Sequence, residues 1–241
     1  MKKNDLIVLL AVLLFLAPFI LFEDVLSLYK TYNSAYPYLL SFIKFAILAT
    51  FGEVIGLRIR TGSYYEKGFG ILPRAIVWGF LGISIKMAFV IFGEGAPAML
   101  ATMGVQFPTE NPADILRQSG FSGVKLLAAF SVGTMLNLFF APVFMTAHRI
   151  TDQHIINTGG TLKGFFTPLR IGEIMSTVNW KTMWSFVFKQ TIPMFWIPAQ
   201  TLNFMLPEEV RILFAAFLGI VLGVLLAFAS LLDRRKNVSV K

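Results

Sequence analysis

The sequence predicts an all-α membrane protein: a single domain over residues 1–241, built as a bundle of six transmembrane helices with a kinked fifth helix. Three observations carry that expectation. Of the 241 residues 56% are hydrophobic and only 14% charged, with a mean hydropathy of +0.71, outside the range of soluble domains. The apolar residues fall into six runs, about 6–22, 38–57, 75–92, 124–147, 184–205 and 212–232, near the ~20 residues a helix needs to cross ~30 Å of hydrocarbon. The third observation is charge. Lys2 and Lys3, then Arg58, Arg60, Lys67 and Arg74, then Arg149, Lys163, Arg170 and Lys181, and finally Arg234, Arg235, Lys236 and Lys241 lie in alternate loops and ends. They make up 14 of the 21 Lys and Arg, and the positive-inside tendency assigns their side to the cytoplasm or matrix, with both termini inside.

The first run has the basic start and apolar middle of a signal peptide but no small-x-small cleavage site, and Phe22, Glu23 and Asp24 follow it. It is expected to be retained as a span, with Pro18 as a kink. Tyr29, Tyr32 and Tyr36 then supply the phenolic belt of a membrane surface. The second span carries Lys44 and Glu53, and the third carries Lys86 near its middle. Between the third and fourth, Glu94, Glu110 and Asp114 face Arg117, and Asn111-Pro112 reads as the cap of a short surface helix. The fourth span holds Asn137 and Pro142, and the basic loop after it ends in interfacial Trp180 and Trp184. Pro207, Glu208 and Glu209 make a tight turn into the sixth span. Gly52-x-x-x-Gly56 and Gly219-x-x-x-Gly223 are spacings that let helices approach closely.

The fifth span organises the chain. At about 100° per residue Lys189, Pro193, Trp196, Gln200 and Asn203 share a stripe roughly 80° wide, and Pro193 and Pro198 free carbonyls beside it. Such a stripe either lines a pore or cavity, or hydrogen-bonds neighbouring helices. A charge at mid-depth costs roughly 2.5 to 3.5 kcal/mol, so Lys44, Glu53, Lys86 and Lys189 each need a partner, water or neutralisation. Glu53 and Lys189 lie at matching depths and are expected to pair as a gate, while Lys44 either snorkels outward or joins the cavity. Unmatched Lys86 would then give a wet interior a positive potential that favours anions.

The C-terminal signature Trp196, Gln200, Asn203-Phe204, Pro207 and Arg211, preceded by Asn179-Trp180, resembles that of the Mpv-seventeen and twenty-two-kilodalton peroxisomal membrane protein family. Gly52-Glu53 stands where that family has Gly-Asp, and Ala141-Pro142 matches the end of its Asp-Gln-x-x-x-Ala-Pro segment. Leu136 and Asn137 replace the Asp-Gln pair, and Pro198 lies one position later than the family's Trp-Pro. The resemblance implies a divergent bacterial member and a helical bundle, of a kind proposed to form channels for small solutes in mitochondrial inner and peroxisomal membranes.

The function expected is therefore a membrane channel or transporter for small, anionic solutes. Lys86, Lys189, Trp196, Gln200 and Asn203 would line the path, Glu53 and Lys189 would gate it, and Gly52, Pro142, Pro193, Pro198, Phe204, Pro207 and Arg211 would be structural. The alternative is a non-conducting structural or assembly protein. The expected location is the bacterial cytoplasmic membrane, or alternatively the mitochondrial inner membrane. Partners are the lipid bilayer and the solute, with a homo-oligomer left open and no cofactor. The net charge of +8 is dispersed along loops, which argues against nucleic acid, and the absence of cysteine excludes disulfides and thiolate chemistry. His148, Asp152 and His154 fit no familiar metal spacing and read as a solvated loop, and Asn157-Thr-Gly-Gly-Thr reads as a turn rather than a phosphate loop. No catalytic dyad is placed within a span, so an enzyme is not expected. Asn237-Val-Ser239 is a glycosylation sequon on the cytoplasmic side of this topology.

Overall fold

Apolar text of this length and period folds into helices, since a helix satisfies its own backbone hydrogen bonds without water. The computed structural model describes residues 3–239, and side chains as far as residue 225. The sequon at Asn237 and the basic residues from Arg234 thus lie where only backbone is described or, at the last residues, outside the described chain. Among the described residues every regular element is a helix. Among the described residues four helices are long and apolar enough to cross a membrane, which is compatible with a membrane location: α1 (Lys3–Leu21), α3 (Pro37–Thr61), α4 (Ile71–Thr102) and α5 (Gly123–Asn157). Between α1 and α3 lies α2 (Glu23–Ala35).

The chain divides into two units, residues 1–40 and 41–241. In the first, α1 buries none of its residues, and Phe19 meets the ring of Tyr29 edge-on at 5.8 Å, joining α1 to α2. The second unit holds the core. It comprises most of α3, then α4, a 3-10 turn at Pro112–Leu116, α5, short helices α6 (Leu162–Phe165) and α7 (Ile171–Thr177), α8 (residues 180–205) and α9 (Glu208–Ser239). The predicted cap is there: Asn111 Oδ1 accepts from the Ala113 N–H at 3.2 Å. The turn is not a surface element, however. Ala113, Ile115 and Leu116 are buried, because the apolar side of so short a turn has nowhere else to go. Gly159 and Gly160 adopt positive φ of 72° and 67°, as a turn at Asn157-Thr-Gly-Gly requires.

Glycine sets how closely the helices approach. A Cβ on Gly82 of α4 would lie 2.6 Å from Phe45 Cβ and 2.7 Å from the Ser41 carbonyl oxygen of α3. On α3, a Cβ at Gly52 would lie 3.0 Å from Ile220 Cα of α9, and one at Gly56 would lie 3.8 Å from the Gly223 carbonyl. The two Gly-x-x-x-Gly spacings read in the sequence therefore meet each other. Gly219 is the exception, since a Cβ there meets nothing within 4 Å.

Two helices change their winding. In α5 the residues Leu136–Phe140 form a π-helical stretch, and in α8 the residues Met183–Trp196 do so before α geometry returns over Ile197–Met205. Each stretch ends just before a proline, Pro142 or Pro198, seated in the first turn of the following α-helix, where a missing N–H costs little. The core lies mostly outside these stretches: Ala128, Ala129 and Val132 are completely buried, and the Phe89 and Phe204 rings meet at a tilt with centroids 5.0 Å apart.

Replacing Gly82 with Ala forces a Cβ into the backbone of α3 and should destabilise the protein by about 1–3 kcal/mol. Gly219→Ala should leave it unchanged. Thermal unfolding in detergent checks both, and equal midpoints would contradict the α3–α4 approach.

Candidate functional site

One helical face of α3, the first turns of α4 and the last turns of α5 bring ionisable groups together. Arg74 lies within α4 rather than in the loop the sequence reading gave it, and is 5% exposed. Its Nη1 donates to both Glu53 Oε2 of α3 and Asp152 Oδ1 of α5, and its Nε donates to the Phe69 carbonyl at 2.7 Å. The guanidinium also lies over the Phe69 ring, 4.4 Å from its centroid. Glu53 Oε1 accepts from Trp78 Nε1 at 2.8 Å and sits 3.4 Å from His148 Nε2. The Trp78 and His148 rings are 4.4 Å apart. One cation thus holds two carboxylates from two other helices, and one of those carboxylates also holds an indole and an imidazole.

Glu53, Trp78, His148 and Asp152 of this cluster line one end of a cavity of about 610 Å3. The lining begins at Glu53, His148 and Asp152 and runs along the helices to Phe45, Phe89, Leu136 and Ala215. Counted at about 1.5 Å per residue, that is roughly 12 Å along α3 and roughly 24 Å along α5, against the ~30 Å hydrocarbon thickness. The π-helical stretches contribute part of the walls on α5 and α8, through Leu136, Asn137 and Phe140 on one and Met183, Phe186, Val187, Thr191 and Trp196 on the other. A π turn is wider than an α turn and sets its side chains off the neighbouring ridges, which leaves room beside it. Most of the lining is aromatic or aliphatic. Its polar atoms include two that are buried without partners, Trp196 Nε1 and His148 Nδ1.

Of the residues expected to line a path, Trp196 and Gln200 face this cavity. Asn203 stands behind Gln200: it is fully buried and its Nδ2 donates to Gln200 Oε1 at 2.9 Å. Lys44 is buried on α3 but does not line the cavity.

Lys189 is exposed, is absent from the lining, and does not pair with Glu53. The reason is the winding. With hydrogen bonds reaching five residues back, each residue of a π-helix turns through only about 80°, so seven residues separate Lys189 from Trp196 by roughly 200° instead of 20°. Lys86 is likewise absent from the lining. Its Nζ lies 3.6 Å from Glu208 Oε1 at the other end of the bundle, and it lines a separate small pocket with Phe89, Gly93 and Glu94. Lys189, expected to gate the path, and Lys86, expected to give it a positive potential, both stand outside the cavity, as does Lys44, and the premise for an anion preference goes with them.

At that other end Arg117 bonds Asp114 at 2.6 Å, Glu94 at 2.7 Å and Glu208 at 3.4 Å. Burial pushes the Glu208 carboxyl up, but Lys86 and Arg117 outweigh it and hold it below the usual carboxylate range. Arg211 is buried beside it and donates to the carbonyls of Leu116 at 2.7 Å, Leu206 at 3.0 Å and Phe204 at 3.3 Å. This joins the 3-10 turn, α8 and α9, so Phe204, Pro207 and Arg211 form a structural corner.

The sequence reading missed Arg74, Trp78, His148 and Asp152 as one site. Their spacing held a signal: 74 and 78, and 148 and 152, are both i,i+4 pairs on single helical faces. The chain matches no protein-family model, no curated protein and no solved structure.

Replacing Arg74 with Leu leaves two carboxylates facing each other and should destabilise the protein by about 3–5 kcal/mol; adding Glu53→Gln and Asp152→Asn should restore most of that loss. Denaturant titration of the four forms measures it, and an unchanged single variant would contradict the shared ion pair. Glu208, with its lowered value, contributes stability above its unfolded value of about 4.3 that is lost as pH falls through the folded value. Unfolding midpoints of the natural protein and Glu208→Gln should therefore differ near neutrality and converge below about pH 4. A constant separation would contradict the pairing.

Proposed function

We propose that the protein crosses the membrane six times, through α1, α3, α4, α5, α8 and α9, and that the cavity in its second unit holds a small solute on its way across the bilayer. The cavity carries this reading. Its size lies within the few hundred to about a thousand Å3 typical of small-molecule sites, and a mostly apolar wall with a few polar atoms at one end is the usual composition of such a site. Long π-helical runs are rare and recur at functional positions, and Pro193 within the longer one supports the expected kink of the fifth crossing. The C-terminal signature shared with the Mpv-seventeen and twenty-two-kilodalton peroxisomal membrane protein family, in which channels for small solutes have been proposed, points the same way.

A second reading has one specific observation in its favour. Beyond the layer of Phe45, Phe89 and Gln200 the bundle is closed by Phe204 and the completely buried Ala128, Ala129 and Val132, so the cavity stops partway. A carrier that alternates its open side is compatible with such a stop, and so is a non-conducting bundle that binds a solute without passing it.

Osmotic swelling of proteoliposomes in a panel of small organic solutes of either charge separates the two. The transport reading expects at least one solute to enter faster than into empty liposomes. It also expects Gly219→Phe, whose side chain enters the cavity where an added Cβ meets nothing within 4 Å, to reduce entry to near the empty-liposome rate. No accelerated entry for any solute would leave the non-conducting reading standing.

A further inference from the structure

We infer that the cavity selects organic cations: small molecules with an aromatic or aliphatic body and an ammonium group, rather than anions. The inference rests on the cavity being a solute site and adds the charge of the solute. Two carboxylates, Glu53 and Asp152, line the cavity and share a single guanidinium, that of Arg74. The two carboxylates and the one guanidinium sum to one negative charge. Asp152 uses only one of its oxygens on Arg74, and no hydrogen bond engages the other. Arg149 is the remaining ionisable residue in the lining; it attracts Asp152 without a direct ion pair or hydrogen bond among the described residues, and it is exposed, so water screens its charge where the buried carboxylates are screened less. Lys44, Lys86, Lys125, Lys181 and Lys189 of the bundle helices are all absent from the lining.

The wall supplies a second, independent attraction for a cation. Trp78, Phe140, Phe144, Phe186 and Trp196 present ring faces or edges to the cavity, and a ring face draws an ammonium group by its quadrupole, most strongly for tryptophan and where water is excluded. Trp78 is fixed in this wall by its neighbours, since its indole nitrogen donates to Glu53 while its ring packs against His148 and Phe45. An anion at the same place meets two carboxylates in a low-dielectric wall, where like charges repel more strongly than in water. A cation there neutralises the surplus charge and buries its apolar body against the aromatic wall.

Binding to purified protein tests this, read by the fluorescence of the cavity tryptophans Trp78 and Trp196. The probes are phenyltrimethylammonium and benzenesulfonate, an aromatic cation and an aromatic anion whose charges do not titrate. The cation should bind at least about tenfold more tightly than the anion. Asp152→Asn should narrow that ratio, and Gly219→Phe should weaken both. Equal binding, or tighter binding of benzenesulfonate, overturns the inference while leaving the cavity as a solute site. A protein that binds neither probe removes the solute site itself and the inference with it. The comparison of the two probes needs no variant, so it stands even where Asp152→Asn fails to fold.

Discussion

The Arg74 guanidinium is where the second unit is tied together. Taking charges out of water costs several kcal/mol each even after relaxation, so a buried arginine in apolar surroundings fixes the positions of whatever neutralises it. Here that means Glu53 on α3 and Asp152 on α5, with the Phe69 carbonyl and ring completing the shell from the segment before α4. Three helices are thereby set in depth and rotation at one end of the bundle. At the other end Arg211 does the same with backbone carbonyls, and Arg117 does it with carboxylates in a more exposed setting, where each pair contributes less. Between these fixed ends, helix spacing follows from small residues: Gly82 against α3, Gly52 against α9, and Gly133 of α5 with its would-be Cβ 3.0 Å from the Thr201 backbone nitrogen of α8.

The cavity follows from a mismatch that this scaffold imposes. α5 and α8 pack closely where Gly133 meets Thr201, then diverge in winding as each enters a π-helical stretch toward the charged end. Side chains on a π turn no longer follow the ridges and grooves that let α-helices interlock, so the space between them is not filled. The result is a graded interior. Carboxylates, an imidazole and an indole N–H lie at one end and aromatic rings along the walls, with Gln200, held by Asn203, near the closed layer.

Much of the architecture was legible because it depends on composition and period. The boundaries of the apolar runs agree with the helices to within a few residues for α1, α3 and α8, and Asn111, Trp196 and Gln200 stand where their chemistry places them. Two things were not legible. The first is helix length: α4 and α5 continue for turns beyond their apolar runs, to Ile71 and Asn157, which turned Arg74, His148 and Asp152 from loop residues into neighbours across three helices. Polar residues close to a span's end read as loop on hydropathy alone, although a helix can carry them inward when they satisfy one another. The second is winding. A helical wheel drawn at 100° places Lys189 beside Trp196, and no local feature of Met183–Trp196 announces the π geometry that turns it away. The expected Glu53–Lys189 pair fell with that one angle, whereas Lys86 on α4 is held away from the cavity by Glu208 at the other end of the bundle.

The central claim is that the second unit encloses space that water and a solute can reach. The chain has no cysteine, so a single introduced thiol reports its own surroundings without background. Only the thiolate reacts, and it forms only where water reaches the sulfur. Gly219 faces the cavity with room for a side chain, and Leu202 of α8 is exposed on the outside of the bundle, within the apolar run. In sealed proteoliposomes a water-soluble maleimide should label Gly219→Cys and leave Leu202→Cys unlabelled. Equal protection of both sites would mean that the interior is dry, and would contradict the account.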